Sequence, residues 1–279
     1  ISNIETLERF WGEKGSEKLT EYYPPLYLFL LKFFFKLFGY VDDVGRLFSI
    51  IFGTLSITLS MYLVTYFEKS KKLVIFVGLI VSFNLFLIWQ SLEIRAHSLV
   101  VFSVLLNLCL FFEVLKSPKK ILLFFYFLVS LFSLSLWPIS GLIFLGKIIY
   151  LVKDMYIKKK FYYRLFFTFF IIVISYIFFN FEYLKFNLAR DFHYTQMSET
   201  FFYNYHFRTF FGTIPNGGFF LIIFSFLFIK NLKKIFFLNS KKNLFIYIIC
   251  CTYLATIVYS IFRASIMSPK YVIFLVPLF

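Results

Sequence analysis

The stretch KSPKKILLFFYFLVSLFSLSLWPISGLIFLGKIIYLVKDMYIKKKFYYR (116–164) decides the fold of this chain. It begins and ends in a lysine cluster, and two apolar runs lie between the clusters, separated by a tight turn at Trp137-Pro138. An apolar run of roughly 20 residues crosses about 30 Å of hydrocarbon as a helix. Short loops rich in lysine stay on the cytoplasmic face. The stretch therefore predicts a helical hairpin that crosses a membrane and returns.

The same alternation continues along the rest of the chain. Lysine-rich connections hold 16 of the 29 Lys and Arg residues: 68–72, 116–120, 153–164 and 230–242. The connections between them are SLEIRAH (91–97), the Trp-Pro turn, the polar stretch 180–217 and RASIMSPKY (263–271). This second side, with residues 1–46, carries all three histidines and 11 of the 14 acidic residues. We therefore expect any carboxylate or imidazole chemistry on the exoplasmic face.

Composition excludes a soluble domain, because 61% of the residues are hydrophobic and only 15% are charged. The runs are apolar all round rather than amphipathic, as in a membrane bundle. Nine spans are predicted: 47–67, 73–90, 98–115, 121–137, 139–152, 165–179, 218–229, 244–262 and 271 onward. Lys147 is expected near a helix end and Asn84 in a helix–helix hydrogen bond. The net charge of +15 fits orientation and anionic lipid better than a nucleic-acid partner.

The predicted fold class is an all-α polytopic membrane protein with two regions. Residues 1–46 form an exoplasmic loop with interfacial helices, since Pro24-Pro25 suits a helix start and Gly39 its stop. Residues 47–279 form the transmembrane bundle, with an exoplasmic loop at 180–217. The chain begins at Ile1 and stops inside an apolar run, so we expect a fragment of a longer protein, truncated at both ends and inactive alone.

Candidate site residues lie in three exoplasmic segments: SLEIRAH (91–97), the loop 180–217 and Pro269-Lys270-Tyr271, whose lysine could anchor a helix end or complete an anion site. SLEIRAH packs Glu93, Arg95 and His97 into five residues, where Arg95 could bind a phosphate that Glu93 helps to orient. The alternative is a Glu–Arg ion pair that only caps a helix. The loop 180–217 offers Asp191 and His193 among aromatic residues that suit either sugar rings or an interfacial belt. The cysteines lie inside spans, and no metal-ligand spacing is present.

Several of these segments resemble one known family. Pro24-Pro25-Leu26-Tyr27, then Leu37-Phe38-Gly39 and Arg46, resemble the proline-rich outer segment of GT-C type glycosyltransferases that use polyprenyl-phosphate sugars. The nearest groups are the protein O-mannosyltransferase-like and lipopolysaccharide-core enzymes. Ser91-Leu92-Glu93-Ile94-Arg95 resembles the family's exterior loop, and Pro269-Lys270-Tyr271-Val272 its late turn. The resemblance covers roughly residues 20–279.

The resemblance implies a GT-C-like helix bundle and an inverting transfer of a hexosyl or pentosyl group on the exoplasmic face. Arg95, Lys270 and Arg46 would hold the phosphate leaving group, and His97, Tyr23, Pro24 and Tyr27, with Asp191 and His193 of the long loop, would complete the substrate site. The family's acidic residue has no match here, so its base is expected upstream of Ile1, and Glu93 is the candidate catalytic residue within the chain. Tyr23, His97 and Lys270 also depart from the family's usual residues.

The implied partners are membrane lipid, a polyprenyl-phosphate sugar and an exoplasmic acceptor, which is a glycolipid, a polysaccharide or a protein. The implied location is the bacterial inner (plasma) membrane, with the active face toward the periplasm or exterior. No cofactor is expected, and the need for a divalent metal is open. Two alternatives are a transporter or flippase, and a polymerase of lipid-linked polysaccharide. A transporter would show charged or broken helices near mid-membrane, whereas the predicted spans are nearly free of charge.

Overall fold

The computed structural model describes residues 25–181, 184–185, 208–212, 218–219, 222–223, 225–226, 228–230, 232, 241–262 and 269–279. These residues form helices and no strand. The α-helices are α1 (Pro25–Phe38), α2 (Asp42–Val64), α3 (Lys71–Ser82), α4 (Leu85–Leu92), α5 (His97–Lys116), α6 (Lys120–Leu136), α7 (Leu142–Lys158), α8 (Tyr163–Phe179), α9 (Arg208–Phe211) and α10 (Asn243–Phe262). Two 3₁₀ helices cover Pro138–Gly141 and Pro269–Leu278.

The chain is an all-α membrane protein, as its composition predicts. Three helices, α2, α5 and α10, are long and apolar enough to cross a bilayer, and the bent pair α3–α4 makes a fourth. Helices α6 and α8 are apolar but shorter, at 17 residues each. The count of nine spans stays a prediction, since residues 220, 221, 224 and 227 of the predicted span 218–229 lie outside the described residues.

Helix α1 begins and ends where its proline and glycine residues predict. It begins at Pro25 and ends at Phe38, just before Gly39, which takes a positive φ of 100°. Glycine adopts this left-handed conformation without the steric cost of a Cβ. Tyr27, Leu31 and Phe35, spaced four apart, form the buried face of α1, and the helix packs on α2 and α6. The next helix, α2, begins at Asp42, five residues before the predicted boundary at residue 47.

The predicted span 73–90 is broken in the structure. Helix α3 ends at Ser82, α4 begins at Leu85, and their axes differ by 55°. Asn84 stabilises the break, because its Oδ1 accepts from Leu87 N at 3.0 Å and its Nδ2 donates to Phe210 O of α9 at 2.9 Å. The expected interhelical hydrogen bond of Asn84 is therefore confirmed, but at a bend rather than within a continuous helix.

The expectation that Lys147 lies near a helix end is wrong. Lys147 is 0% exposed, and its Nζ donates to Asn107 Oδ1 of α5 and to Tyr126 OH of α6, the latter at 3.2 Å. Asn107 Nδ2 in turn donates to Ser130 Oγ at 2.7 Å. Asn107 lies about 15 Å from the start of α5 and about 14 Å from its end at the usual helical rise. The amine is thus held in the middle of the bundle by side chains from two neighbouring helices, α5 and α6.

The lysine-rich connections gather at one end of the bundle. Lys242 pairs with Glu68 at 2.8 Å, and Arg164 Nη1 donates to Pro118 O at 3.0 Å. All three acidic residues on this side form ion pairs with lysine: Glu68 with Lys242, Glu113 with Lys116, and Asp154 with Lys158. The loop 93–96, Trp137 and the segment 269–271 meet at the opposite end. The predicted alternation of connections thus corresponds to two ends of one bundle.

Labelling of single cysteines tests which end faces the cytoplasm. In a background with Cys109, Cys250 and Cys251 replaced by serine, we expect Tyr40→Cys to react with a membrane-impermeant maleimide in intact cells. Tyr156→Cys should react only after permeabilisation, because it lies beside the lysine clusters and positive loops stay cytoplasmic. Both tyrosines are exposed. Labelling of both positions from the same side would contradict the two-ended arrangement.

A double-mutant cycle tests the Lys147–Asn107 hydrogen bond. Asn107→Leu should destabilise the protein by about 1–3 kcal/mol, since it removes an acceptor from a buried amine and a donor from Ser130. The double variant Lys147→Met/Asn107→Leu should cost less than the sum of the two single changes, by about 0.6–1.7 kcal/mol. Unfolding free energies measured by denaturant titration in detergent check this. Strict additivity would show that the two side chains are not coupled.

Candidate functional site

The turn between α4 and α5 forms the centre of the candidate site. Arg95 N donates to Glu93 O at 2.9 Å, which closes a tight turn over residues 93–96. Ile94 is buried beneath this turn and anchors it. A Cβ on Gly45 of α2 would lie 2.9 Å from Ile94 Cδ1, so only glycine permits this approach of α2 to the turn. The packing of Ile94 therefore fixes where Glu93 and Arg95 lie.

Glu93 and Arg95 form an ion pair, with Arg95 Nε 3.4 Å from Glu93 Oε2. The arginine side chain is almost half exposed, so the pair contributes little to stability. Its effect is instead to restrict the guanidinium to the rim of the site. The helix-capping alternative and the anion-binding hypothesis share this geometry, and neither excludes the other.

His97 is buried directly behind the ion pair as the first residue of α5. Its side chain is 6% exposed, and its ring meets the Trp137 ring edge-on at 5.7 Å between centroids. Within the described part of the chain, His97 Nδ1 has no hydrogen-bond partner. The positive charges of Arg95 and Lys270 both act on this imidazole. The fold thus brings Lys270 close to Arg95 and His97, from which it is distant in sequence.

The C-terminal 3₁₀ helix contributes Lys270 through aromatic contacts. Trp137 Nε1 donates to Tyr271 O at 3.0 Å, and the rings of Trp137 and Tyr271 lie 5.6 Å apart. Lys270 Nζ sits 5.7 Å from the centre of the exposed Trp89 ring of α4. Cations over tryptophan faces are held by the ring quadrupole. Lys270 therefore lies at the same edge of the site as Arg95, and these two cations form the charged rim.

Tyr27 joins the site from α1. Burial raises the pKa of its phenol, and the charge of Arg95 acts in the opposite direction. The hydroxyls of Tyr27 and Ser49 lie near each other, yet neither makes a hydrogen bond that meets normal geometry within the described residues. The phenol is thus a neutral, unused donor beside the cationic rim.

Other predicted site residues are not brought into this cluster. Arg46 lies on an exposed face of the first turns of α2 and makes no ion pair or hydrogen bond with any described residue. Tyr23, Pro24, Asp191 and His193 lie outside the described residues. Within those described, no group of three or more His, Cys, Asp or Glu side chains is arranged to hold a metal ion.

Two residues that sequence reasoning did not select belong to this end. Asp42 opens α2 one turn before Gly45, and its Oδ1 is buried without a hydrogen-bond partner among the described residues. Gln90 lies one turn before Glu93 and is completely buried. An amide within the apolar segment 85–92 and a carboxylate beside Arg46 were the available signals in the sequence.

The site therefore combines two cations with several buried polar atoms that lack partners in the described structure. Such atoms are costly in a folded protein, and most are satisfied by protein, water or ligand. Their concentration at one end makes this end the candidate site for a polar molecule. Two cations and a neutral phenol at the rim favour an anionic group on that molecule.

No protein-family model matches this chain, and neither a curated protein nor a solved structure gives a match. The resemblance to GT-C glycosyltransferases therefore rests on the sequence motifs alone.

Substitution of Trp137 tests the hydrogen bond that holds Tyr271, the residue after Lys270. Trp137→Phe keeps an aromatic ring but removes the donor to Tyr271 O, so we expect a loss of about 1 kcal/mol and a thermal midpoint lower by about 2–4 °C. Trp89→Phe is the matched control, because its indole N–H makes no hydrogen bond within the described residues. Equal midpoints for the two variants, measured in detergent, would contradict the role of the Trp137 hydrogen bond.

Proposed function

We propose that this protein is an integral membrane glycosyltransferase that moves a sugar from a polyprenyl phosphate to an exoplasmic acceptor. The observation that carries the proposal is the convergence of Arg95 and Lys270 on the buried His97, at the end opposite the lysine clusters. A lipid phosphate needs cations at the membrane surface but no nucleotide-binding loop. Because the proposed site faces the exterior, the acceptor would be a glycolipid, a polysaccharide or a protein on that side of the membrane.

In the proposed reaction, a carboxylate removes the proton from the acceptor hydroxyl, and the oxygen attacks the anomeric carbon. The bond from that carbon to the phosphate oxygen breaks, so that polyprenyl phosphate leaves and the anomeric configuration inverts. Arg95 and Lys270 stabilise the charge that develops on the phosphate. Glu93 holds Arg95 through their ion pair. Glu93 and Asp42 are the described carboxylates with buried oxygens at this end, and they are the candidate bases among the described residues.

An apolar groove supports a lipid-borne substrate. It has a volume of about 490 Å³ and lies between α1, α6 and α8, lined by Leu26, Phe29, Leu128, Leu131, Phe132 and Phe179 with Ser135 and Asn180. Leu26 precedes Tyr27, so the groove runs beside the helix that carries the phenol of the site. An isoprenoid chain could enter it sideways from the bilayer and leave its phosphate at the polar end.

Replacement of the two cations tests the proposal. Arg95→Gln and Lys270→Gln should each lower the rate of sugar transfer by about 10²–10³-fold, as expected when a preorganised donor to a developing anion is removed. The assay uses membranes containing the full-length protein and a panel of labelled polyprenyl-phosphate sugars, with products followed by mass spectrometry. Arg46→Gln is the matched control, since the same change is made outside the cluster, and it should keep most of the activity.

Normal transfer by both variants would show that these cations do not bind the phosphate. Glu93→Gln and Asp42→Asn separate the roles of the two carboxylates. Loss of the base should lower transfer strongly and remove the acidic limb from the pH–rate profile of the residual activity, whereas loss of the partner of Arg95 should reduce the rate and leave that limb in place.

A transporter of lipid-linked sugars is the second candidate, and two observations favour it. The α3–α4 pair is broken at Asn84, and Lys147 is buried in the middle of the bundle. Broken helices and intramembrane charges mark substrate pathways in transporters. Reconstituted vesicles distinguish the two functions, because translocation of an intact lipid-linked sugar without transfer to an acceptor would support the transporter.

A further inference from the structure

A second cavity lies one helical turn from the charged rim, between α2, α4 and α5. Its volume is about 180 Å³, and its lining includes Gly53, Gln90, Ser91, Ser98 and Ile273. None of Glu93, Arg95, His97 or Lys270 lines it. Gln90 precedes Glu93 by one turn, and Ser98 follows His97 directly. The cavity is therefore separate from the charged rim but adjoins it.

Gln90 is the unusual member of this lining. Its side chain is 0% exposed, and within the described residues neither Oε1 nor Nε2 has a hydrogen-bond partner. Its backbone carbonyl accepts from Ser98 Oγ at 3.3 Å, which ties the end of α4 to α5. A buried amide without partners costs roughly 1–3 kcal/mol. A molecule in the cavity that both donates and accepts would remove that cost.

The hydroxyl groups of the lining restrict what this molecule is. Each donates its proton to a backbone carbonyl: Ser91 to Ile88 at 2.7 Å, Ser98 to Gln90 at 3.3 Å, Ser56 to Phe52 at 2.7 Å, Thr54 to Ile50 at 2.9 Å and Ser82 to Leu79 at 2.9 Å. A hydroxyl has one donor and two acceptor positions, so these groups offer only acceptors to a ligand. Among the described lining side chains, Gln90 Nε2 is the one free donor.

Because the lining offers several hydrogen-bond acceptors and one free donor, it excludes an anion and favours a ligand rich in hydroxyl groups. A phosphate or carboxylate needs several donors, and the charged rim supplies those instead. A sugar ring carries several O–H donors, and its apolar faces can contact Ile57, Val81 and Val101 of the lining. Cavities of about 150 Å³ already hold a six-membered ring.

The cavity also opens toward the lipid. Ile50 of α2 and Ile88 of α4 belong to its lining, and both are substantially exposed on the outer surface of the bundle. Close packing keeps the entrance narrow at one edge, since a Cβ on Gly53 would lie 2.9 Å from Ser91 Cβ.

We infer that this cavity binds the sugar ring of the lipid-borne substrate, with the Gln90 amide pairing with a ring hydroxyl or an acetamido group. The inference rests on the proposed function and specifies where that substrate's sugar lies. The ring would occupy the acceptor-lined cavity, and the phosphate would lie at Arg95 and Lys270 one turn away. Gln90 is a binding residue in this arrangement and takes no part in the bond changes.

The test uses short alkyl glycosides as probes, with the full chain in lipid nanodiscs. Hexyl glucoside, galactoside, mannoside and N-acetylglucosaminide are titrated below their micelle concentrations, and hexyl tetraethylene glycol controls for the chain. We expect at least one glycoside to bind the wild type, and Gln90→Met to weaken that binding about tenfold. Without ligand, Gln90→Met should be at least as stable as the wild type, because the amide it removes has no partner in the described structure.

Asn107→Leu is the matched control, since it also replaces a buried amide but lies outside the cavity. It should lower stability and leave glycoside binding unchanged. Equal glycoside affinity for wild type and Gln90→Met, lower stability of ligand-free Gln90→Met, or binding of the tetraethylene glycol as tight as that of the glycosides would each overturn the inference. So would a wild type that binds no glycoside.

Failure of this inference is distinguishable from failure of the proposed function. Sugar transfer with an unchanged donor KM in Gln90→Met would leave the transferase in place and remove the sugar site. Glycoside binding that depends on Gln90 in a protein without transfer activity would keep the site and favour transport.

Discussion

Every polar group buried among these apolar helices needs a partner within the protein, because hydrocarbon offers none. Most polar side chains inside the bundle obey this constraint through local bonds. Thr256 donates to Thr252 O at 2.8 Å, and Ser60 donates to Ser56 O at 2.8 Å. Lys147 obeys it through two neighbouring helices. Against this background, Gln90, His97 and Tyr27 have buried polar atoms without partners in the described structure, and all three lie toward one end of the bundle.

The separation of charge follows from the same constraint. Ionisable groups avoid the middle of the bundle, with Lys147 as the described exception, and they collect at its two ends. At the lysine-rich end each acidic residue has a lysine partner, and basic residues far outnumber the acidic ones. At the other end, Arg95 has Glu93, but Lys270 contacts only an aromatic face among the described residues. The positive charge of Lys270 is therefore available to an anion at this second end.

The sequence allowed the helices and their ends to be predicted where local chemistry decides them. The proline pair and Gly39 define α1, and the lysine clusters identify the connections at one end. Long-range packing decides the rest. The break at Asn84 depends on a bond to Phe210, 126 residues away, and Lys147 is buried because Asn107 and Tyr126 face it from two other helices. A pattern of apolar residues contains neither partner, so Asn84 was predicted in a helix–helix hydrogen bond without the bend, and Lys147 was predicted near a helix end.

In the candidate site, too, local sequence allowed single residues to be predicted, whereas long-range packing decides how they meet. Arg95 and His97 were predicted in one segment and Lys270 in another, and the meeting of the two segments depends on Trp137, which donates to Tyr271 O and packs against His97. Asp42 and Gln90 were missed because their significance lies in what they lack, and an unpaired atom is visible only in three dimensions. The charged rim and the cavity beside it are chemically complementary. The cations of the rim suit a phosphate, whereas the acceptor-lined cavity suits hydroxyl groups. A single molecule that carries both groups on a membrane lipid would satisfy the two halves together, which neither a free anion nor a simple lipid can do.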